Sequence, residues 1–236
     1  MSDGGEEEPV GPGGESAAGR RTLPTLERGR DLSRIFAFTD GVFAIAITLL
    51  VLQIEVPPDL TSGAGFREAL DEQSADFLAF AISFAVIGFY WIGSHRAMRM
   101  VREYDRGLML LTLLYLGFIV LVPYSSQLMG EYGSAIPLTI AFYAANLVAV
   151  SIALGLMFRH ILSAGLARPE HEWEVALGTR SLWFTAGFIA LTIPFAWVIG
   201  PWTPALWLLL RFDPYQRRRD RIYAGDGPAQ ADRRPR

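Results

Sequence analysis

The stretch RIFAFTDGVFAIAITLLVLQI, residues 34–54, decides the architecture of this chain. It opens on Arg34, and the 20 residues that follow, 35–54, carry a single charged group, Asp40, six places on. A helix of about 20 apolar residues spans the roughly 30 Å hydrocarbon layer, so the run reads as a transmembrane segment with a carboxylate inside it. Such a group costs on the order of 2.5–3.5 kcal/mol at the bilayer centre, and the usual solution is to turn it inward and pair it.

The rest of the chain repeats the pattern. Of 236 residues, 51% are hydrophobic and 19% charged, and the mean hydropathy is +0.28. The apolar residues come in long blocks rather than at amphipathic spacing, which places the chain among integral membrane proteins. Spans are expected near residues 36–56, 77–97, 108–128, 136–158 and 181–200, with a short sixth near 201–212 that carries Pro201 and Pro204. Arginines precede the first span (Arg28, Arg30, Arg34) and follow the second (Arg96, Arg99, Arg102, Arg106), the fourth (Arg159, Arg168, Arg180) and the last (Arg211, Arg217). By the positive-inside rule those ends are cytoplasmic. Six crossings with both termini cytoplasmic satisfy every loop, whereas five would leave the Arg-rich PYQRRRDR outside. The expected fold is therefore all-α, a polytopic membrane protein of six transmembrane helices.

The expected organisation is an acidic and Arg-bearing tail over residues 1–30, a transmembrane domain over 31–213 and a basic tail over 214–236. Both tails have too little apolar surface to offset ordering entropy and are expected to be disordered. No apolar leader segment is found in the first 19 residues, so no removable signal is expected. With no cysteine, disulfides, thiolate metal sites and cysteine nucleophiles are excluded. His171 in EHEWE lacks a partner at ligand spacing, so no metal site is expected. The arginines sort by topology, and the partner they imply is the lipid bilayer rather than nucleic acid.

At about 100° per residue, Phe38, Gly41, Ile45, Leu49, Leu52 and Val56 share one stripe of the first span, with Thr48 at its edge, while Asp40 falls nearly opposite. The second span runs back toward the cytoplasm and brings Trp91 and His95, one turn apart on one face, to the depth of Asp40. The expectation is a buried polar knot: Asp40 accepts from His95 and the Trp91 indole, and Arg34 or Thr39 completes it. The Ile45, Leu49 and Leu52 stripe then faces either lipid or a pore. Gly41 and Ala44 permit close helix approach, and Gln53 and Glu55 add polar groups at the outer end.

Arg34, three residues, then Phe38-Thr39-Asp40, followed by Ile45 and Thr48, resembles the opening helix of the transmembrane protein 175 family of potassium channels, whose signature is Arg-x-x-x-Phe-Ser-Asp. Trp91 and His95 are similar to that family's second-helix Trp-x-x-x-His pair, and Thr39 departs from the usual Ser while keeping a hydroxyl. The resemblance implies one six-helix repeat per chain and a homotetramer in which the first helix of each subunit lines a central pore. It further implies a potassium channel of the cell membrane, with Ile45 as the hydrophobic gate, Leu49 and Leu52 as further apolar rings, and Thr48 as a hydroxyl layer that sets cation preference. No TVGYG-like carbonyl filter is present, so K+ is expected to pass with weak selectivity over other monovalent cations, without a cofactor.

Rival readings come from other classes. A proton-coupled secondary transporter would use Asp40 and His95 as a relay, but such proteins more often carry paired repeats with broken helices, and the first span has no interior proline. An intramembrane enzyme would need Ser94 and His95 to cooperate, yet adjacent helix residues diverge by about 100°. No enzyme activity is expected. Asn146, Thr112 and Tyr115 are expected in interhelical hydrogen bonds, Pro123 and Pro194 at kinks, and Trp197, Trp202 and Trp207 in an interfacial belt.

Overall fold

The computed structural model describes residues 23–56 and 62–223. Among the described residues, five long segments are apolar enough to cross a bilayer. They comprise α1 (Leu23–Val51), α3 (Ser74–Met100), α4 (Arg106–Tyr132), α5 (Pro137–Ser163) and a composite run beginning with α6 (Glu172–Thr192). A short α2 (Gly63–Glu72) precedes α3. After α6 come a 3₁₀ turn at Ile193–Phe195, α7 (Ala196–Ile199), a long 3₁₀ helix over Gly200–Phe212 and α8 (Pro214–Tyr223).

The bundle is built around α5. Ile140, Tyr143, Leu147, Val150, Leu154, Met157 and Ile161 are at most 1% exposed, and their alternating three- and four-residue steps draw a buried seam down the helix. The neighbours α4 and α6 pack on that seam, α3 packs on α4, and α1 lies at the periphery against α3 and α4. Side-chain hydroxyls pair across the helices. The Ser83 hydroxyl lies 2.7 Å from Ser126 and 2.9 Å from Tyr143, Tyr90 meets Ser151 at 2.6 Å, and Tyr115 donates to the Tyr90 carbonyl at 2.9 Å. As expected, Asn146 bridges helices, donating to the Phe118 carbonyl at 3.3 Å. Thr112 also reaches another helix, its hydroxyl lying 3.8 Å from Met157 Sδ on α5, while it donates to the Leu108 carbonyl at 2.8 Å and accepts from Tyr104 of the α3–α4 loop at 2.7 Å.

The sixth crossing explains itself by its geometry. Gly200, at φ 54°, reverses the chain and opens a 3₁₀ helix of 13 residues, Gly200–Phe212. At a rise of about 2 Å per residue they cover about 26 Å, where an α-helix of the same length would cover about 20 Å. The returning end packs beside α6: Ser181 donates to the buried Asp213, and α8 lies against α6. A short apolar stretch thus returns toward the membrane face from which α6 set out. Trp207 is buried on this segment, stacked on Tyr143 at 5.6 Å and donating to Thr192 at 3.0 Å, so it belongs to the core and not to the aromatic belt; Trp197 and Trp202 are exposed.

Several boundaries differ from the sequence reading. The first helix begins at Leu23, inside the expected tail, and ends at Val51 in two 3.3 Å turn bonds before Pro57–Pro58, which disfavour helix in the residue ahead of them. The expected outer loop contains α2, started by Ser62, whose hydroxyl accepts from Gly65 at 3.1 Å. Residues 214–223 form a helix where a disordered tail is expected, because Asp213 caps it and α6 gives it a packing surface. The remaining tail residues, 1–22 and 224–236, lie outside the described residues.

Candidate functional site

The first helix divides into an anchored face and an open one. Thr39, Phe43, Ala46 and Leu50, at steps of four, three and four, are at most 1% exposed and pack against α3 and α4, with the Phe43 and Tyr115 rings 6.0 Å apart. The opposite half carries Phe38, Gly41, Ile45, Thr48 and Leu49, and the turn after the helix carries Leu52, all exposed, with Ile45 at 61% and Leu52 at 75%. A Cβ built on Gly41 meets nothing within 4 Å. Only 22% of the apolar window of this helix is buried, against 67% for α5. Within the ridge Thr48 donates to the Ile45 carbonyl at 2.9 Å, which leaves the hydroxyl lone pairs as acceptors on the open side.

Asp40 stands at the seam between these halves, on the side of α3. The Trp91 indole donates to its Oδ1 at 2.9 Å, and His95 lies 5.5 Å from the indole ring at a tilt of 34°. The knot therefore forms between Asp40 and Trp91, with three differences from expectation. Among the described residues no hydrogen bond joins His95 to Asp40: one turn beyond Trp91, its imidazole covers the indole rather than reaching the carboxylate. Thr39 is turned into the core, since its side chain leaves the helix about 100° from that of Asp40. Its hydroxyl is buried without a hydrogen-bond partner. The pair is also exposed in the single chain, Trp91 at 38%, instead of buried.

Arg34 lines a cavity of about 780 Å³ between α1 at Arg34–Phe38, the α3–α4 loop and the start of α4, and among the described residues it forms no ion pair with Asp40. Sequence reasoning missed the pair beside it. Asp105 caps α4, accepting from the Leu108 amide at 2.7 Å, and both its oxygens lie 2.9–3.0 Å from His160 Nε2 at the end of α5. Burial pushes the Asp105 carboxyl up, but the Leu108 amide and His160 outweigh it and hold the group below its ordinary value. The capping position is readable from Asp105-Arg-Gly-Leu; the His160 partner, 55 residues away, carries no local signal. His171 pairs loosely with Glu174 at 3.5 Å, and among the described residues no cluster suits a metal ion.

Comparison with known proteins decides the family. A family model described as the endosomal/lysosomal potassium channel TMEM175 matches residues 34–123, from Arg34 through the first three long helices. A protein of Streptomyces collinus named a potassium channel is 37% identical over 178 residues, 73% of this chain and 85% of that one. The chain belongs to the TMEM175 family. The crystal structure of a lysosomal potassium-selective channel TMEM175 homolog from Chamaesiphon minutus superposes with a TM-score of 0.68 at 28% identity, over 80% of this chain and 98% of that one. The chicken endosomal/lysosomal proton channel TMEM175 is 39% identical over 106 residues, which is 42% of this chain and 21% of that protein. The TMEM175 match covers α1 from Arg34 onward, α3 and most of α4, the helices that carry and flank the Asp40–Trp91 pair.

Proposed function

We propose that four copies of this chain form a potassium-permeable cation channel of the cell membrane, with weak selectivity and both termini cytoplasmic. The α1 helices line the pore, Ile45, Leu49 and Leu52 form its apolar constriction, and Thr48 supplies the hydroxyl layer. The observation that carries this reading is the division of α1: its back is fastened to α3 and α4 through Phe43, Leu50 and the Asp40–Trp91 bond, while a continuous apolar ridge stands open. A ring of four such ridges excludes water when narrow, because a hydrated cation finds nothing there to replace its shell, and conducts when widened. Potassium gives up hydration more easily than sodium, and the outward lone pairs of Thr48 offer it partial replacement. Relatives matched over most of their length carry the name potassium channel, while the protein named a proton channel is matched over about a fifth of its own. A proton relay gains no support from the site, where His95 is not bonded to Asp40.

The test is passive cation flux in proteoliposomes, with no counter-ion gradient supplied. Ile45→Asn should hydrate the neck, raise K+ flux by about tenfold or more and erode discrimination against Na+. Flux unchanged from the parent protein would return the ridge to lipid.

A further inference from the structure

A second cavity, of about 220 Å³, lies between α3, α5, the start of α6 and α8, with no wall from α1 or α4. Its residues on α3, among them Phe89, Ile92 and Arg96, stand about 100–160° around that helix from Trp91, which faces α1, so the cavity opens away from the axis proposed for the pore. The loops beneath it fix its depth. Arg102 donates to the Leu166 carbonyl and Arg168 to the Met100 carbonyl, each at 2.9 Å, so the end of α3 and the approach to α6 share one membrane boundary. Arg96 is one turn from that end of α3 and Glu174 is in the first turn of α6, both at headgroup depth. Phe89 and Ile92, apolar and exposed, continue toward the bilayer interior, Phe89 about 10 Å deeper than Arg96.

The cavity carries one charge of each sign and joins them to each other by no ion pair. Glu174 is 7% exposed, and a buried carboxylate is costly unless it is paired. Its neighbour His171 stands 3.5 Å away, longer than an ordinary hydrogen bond. Arg96 forms no ion pair with any acid among the described residues, and Ser181, on the same wall as Glu174, is engaged by Asp213. A phosphate would satisfy the guanidinium and an ammonium with N–H donors the carboxylate. Phosphatidylethanolamine carries both on one headgroup. Phosphatidylglycerol lacks the cation, and the quaternary nitrogen of phosphatidylcholine has no N–H to donate.

We propose that this cavity seats the headgroup of one phosphatidylethanolamine molecule per chain, its phosphate on Arg96, its ammonium on Glu174, and its acyl chains outside along Phe89 and Ile92. The bound lipid bridges α3 and α6 on the face away from α1. Its binding does not rest on the pore reading, and its test does not use flux.

Native mass spectrometry of the purified protein, titrated with phosphatidylethanolamine, phosphatidylcholine or phosphatidylglycerol of the same acyl chains, tests it. Phosphatidylethanolamine should be retained at up to one molecule per chain and preferred over both others. Glu174→Gln should lower its retention about tenfold and erase the preference over phosphatidylcholine. Arg96→Gln should weaken it about fivefold, and Arg96→Lys, which keeps the charge, should restore most of the loss. Arg106→Gln, outside the cavity, should leave it unchanged. Equal retention of phosphatidylethanolamine and phosphatidylcholine by the parent protein overturns the proposal without recourse to any variant, as does a preference for phosphatidylglycerol. A preference that survives Glu174→Gln overturns it too. Loss of the oligomer in Arg96→Gln would mean that a neighbouring chain covers this face, which also overturns it.

Discussion

Replacing Trp91 by Phe removes one hydrogen bond from the site and little else. The indole N–H sits 2.9 Å from Asp40 Oδ1, and an aromatic ring at position 91 still covers His95. A bond to an ionised acceptor is worth about 1.5–3 kcal/mol in general, while side-chain bonds between membrane helices average about 0.6 and reach about 1.7 kcal/mol. Asp40 is exposed at the seam and can take water or another donor in exchange, which pulls the expected loss to about 1 kcal/mol. At this chain length that is a fall of about 2–4 °C in melting temperature. Asp40→Asn keeps an acceptor but loses the charge, so the informative quantity is the coupling in the Trp91→Phe/Asp40→Asn double-mutant cycle, expected at about 1 kcal/mol. Scanning fluorimetry of the purified oligomer, beside its mass distribution, reads both stability and assembly. A coupling below about 0.3 kcal/mol would refute the idea that this bond fastens α1 to α3.

Three further outcomes follow from the same geometry. Thr39→Val deletes the buried hydroxyl that has no partner, at nearly constant shape, and should be neutral or stabilising by up to about 1 kcal/mol in equilibrium unfolding; a loss of that size would reveal a bond made in the assembled protein. Leu50→Ala, at 0% exposure on the thin interface of α1, should cost about 2–4 kcal/mol and increase proteolysis near α1 ahead of α5. Asp105 is held below its ordinary value, so its contribution is present above about pH 4 and is lost as pH falls through the lowered value. Asp105→Asn, which can still cap α4, should therefore destabilise by less than about 1 kcal/mol at neutral pH, because the carboxylate is partly exposed, and the difference should vanish near pH 2 in melting curves.

Residues 34–54 made the first helix and its ridge legible because the wheel needs only local spacing: Phe38, Ile45, Leu49 and Leu52 share a face whatever lies around them. Asp40 and Trp91 were legible for a second reason, since antiparallel spans of similar length bring equal depths together. His95 and Thr39 were misplaced because depth matching says nothing about rotation, and one residue turns a side chain by about 100°. The Asp105–His160 pair and the burial of Trp207 depend on which helices are neighbours in the bundle, and hydropathy does not report that. Nor does composition announce a 3₁₀ crossing; its cause is the length that Gly200–Phe212 must cover.

The peripheral position of α1 bears on where its ridge faces. A helix fastened on one side only, with less than a quarter of its apolar window buried, would be stable enough in lipid if its open half were wholly apolar. This one is not: Thr48 directs lone pairs outward one turn before the helix ends at Val51, and Asp40 stands exposed at the seam although indole supplies only one of its hydrogen bonds. A carboxylate oxygen left without a donor against acyl chains carries the full cost of desolvation, several times what the Trp91 bond returns. Water or protein must therefore reach that edge of α1, and hydrocarbon provides neither. Closing four chains about an axis on the α1 side gives both at once: neighbouring subunits cover the seam at Asp40, and water in the lumen meets Thr48. The polar atoms on an otherwise oily helix thus argue for the shared axis more strongly than the oily ridge does.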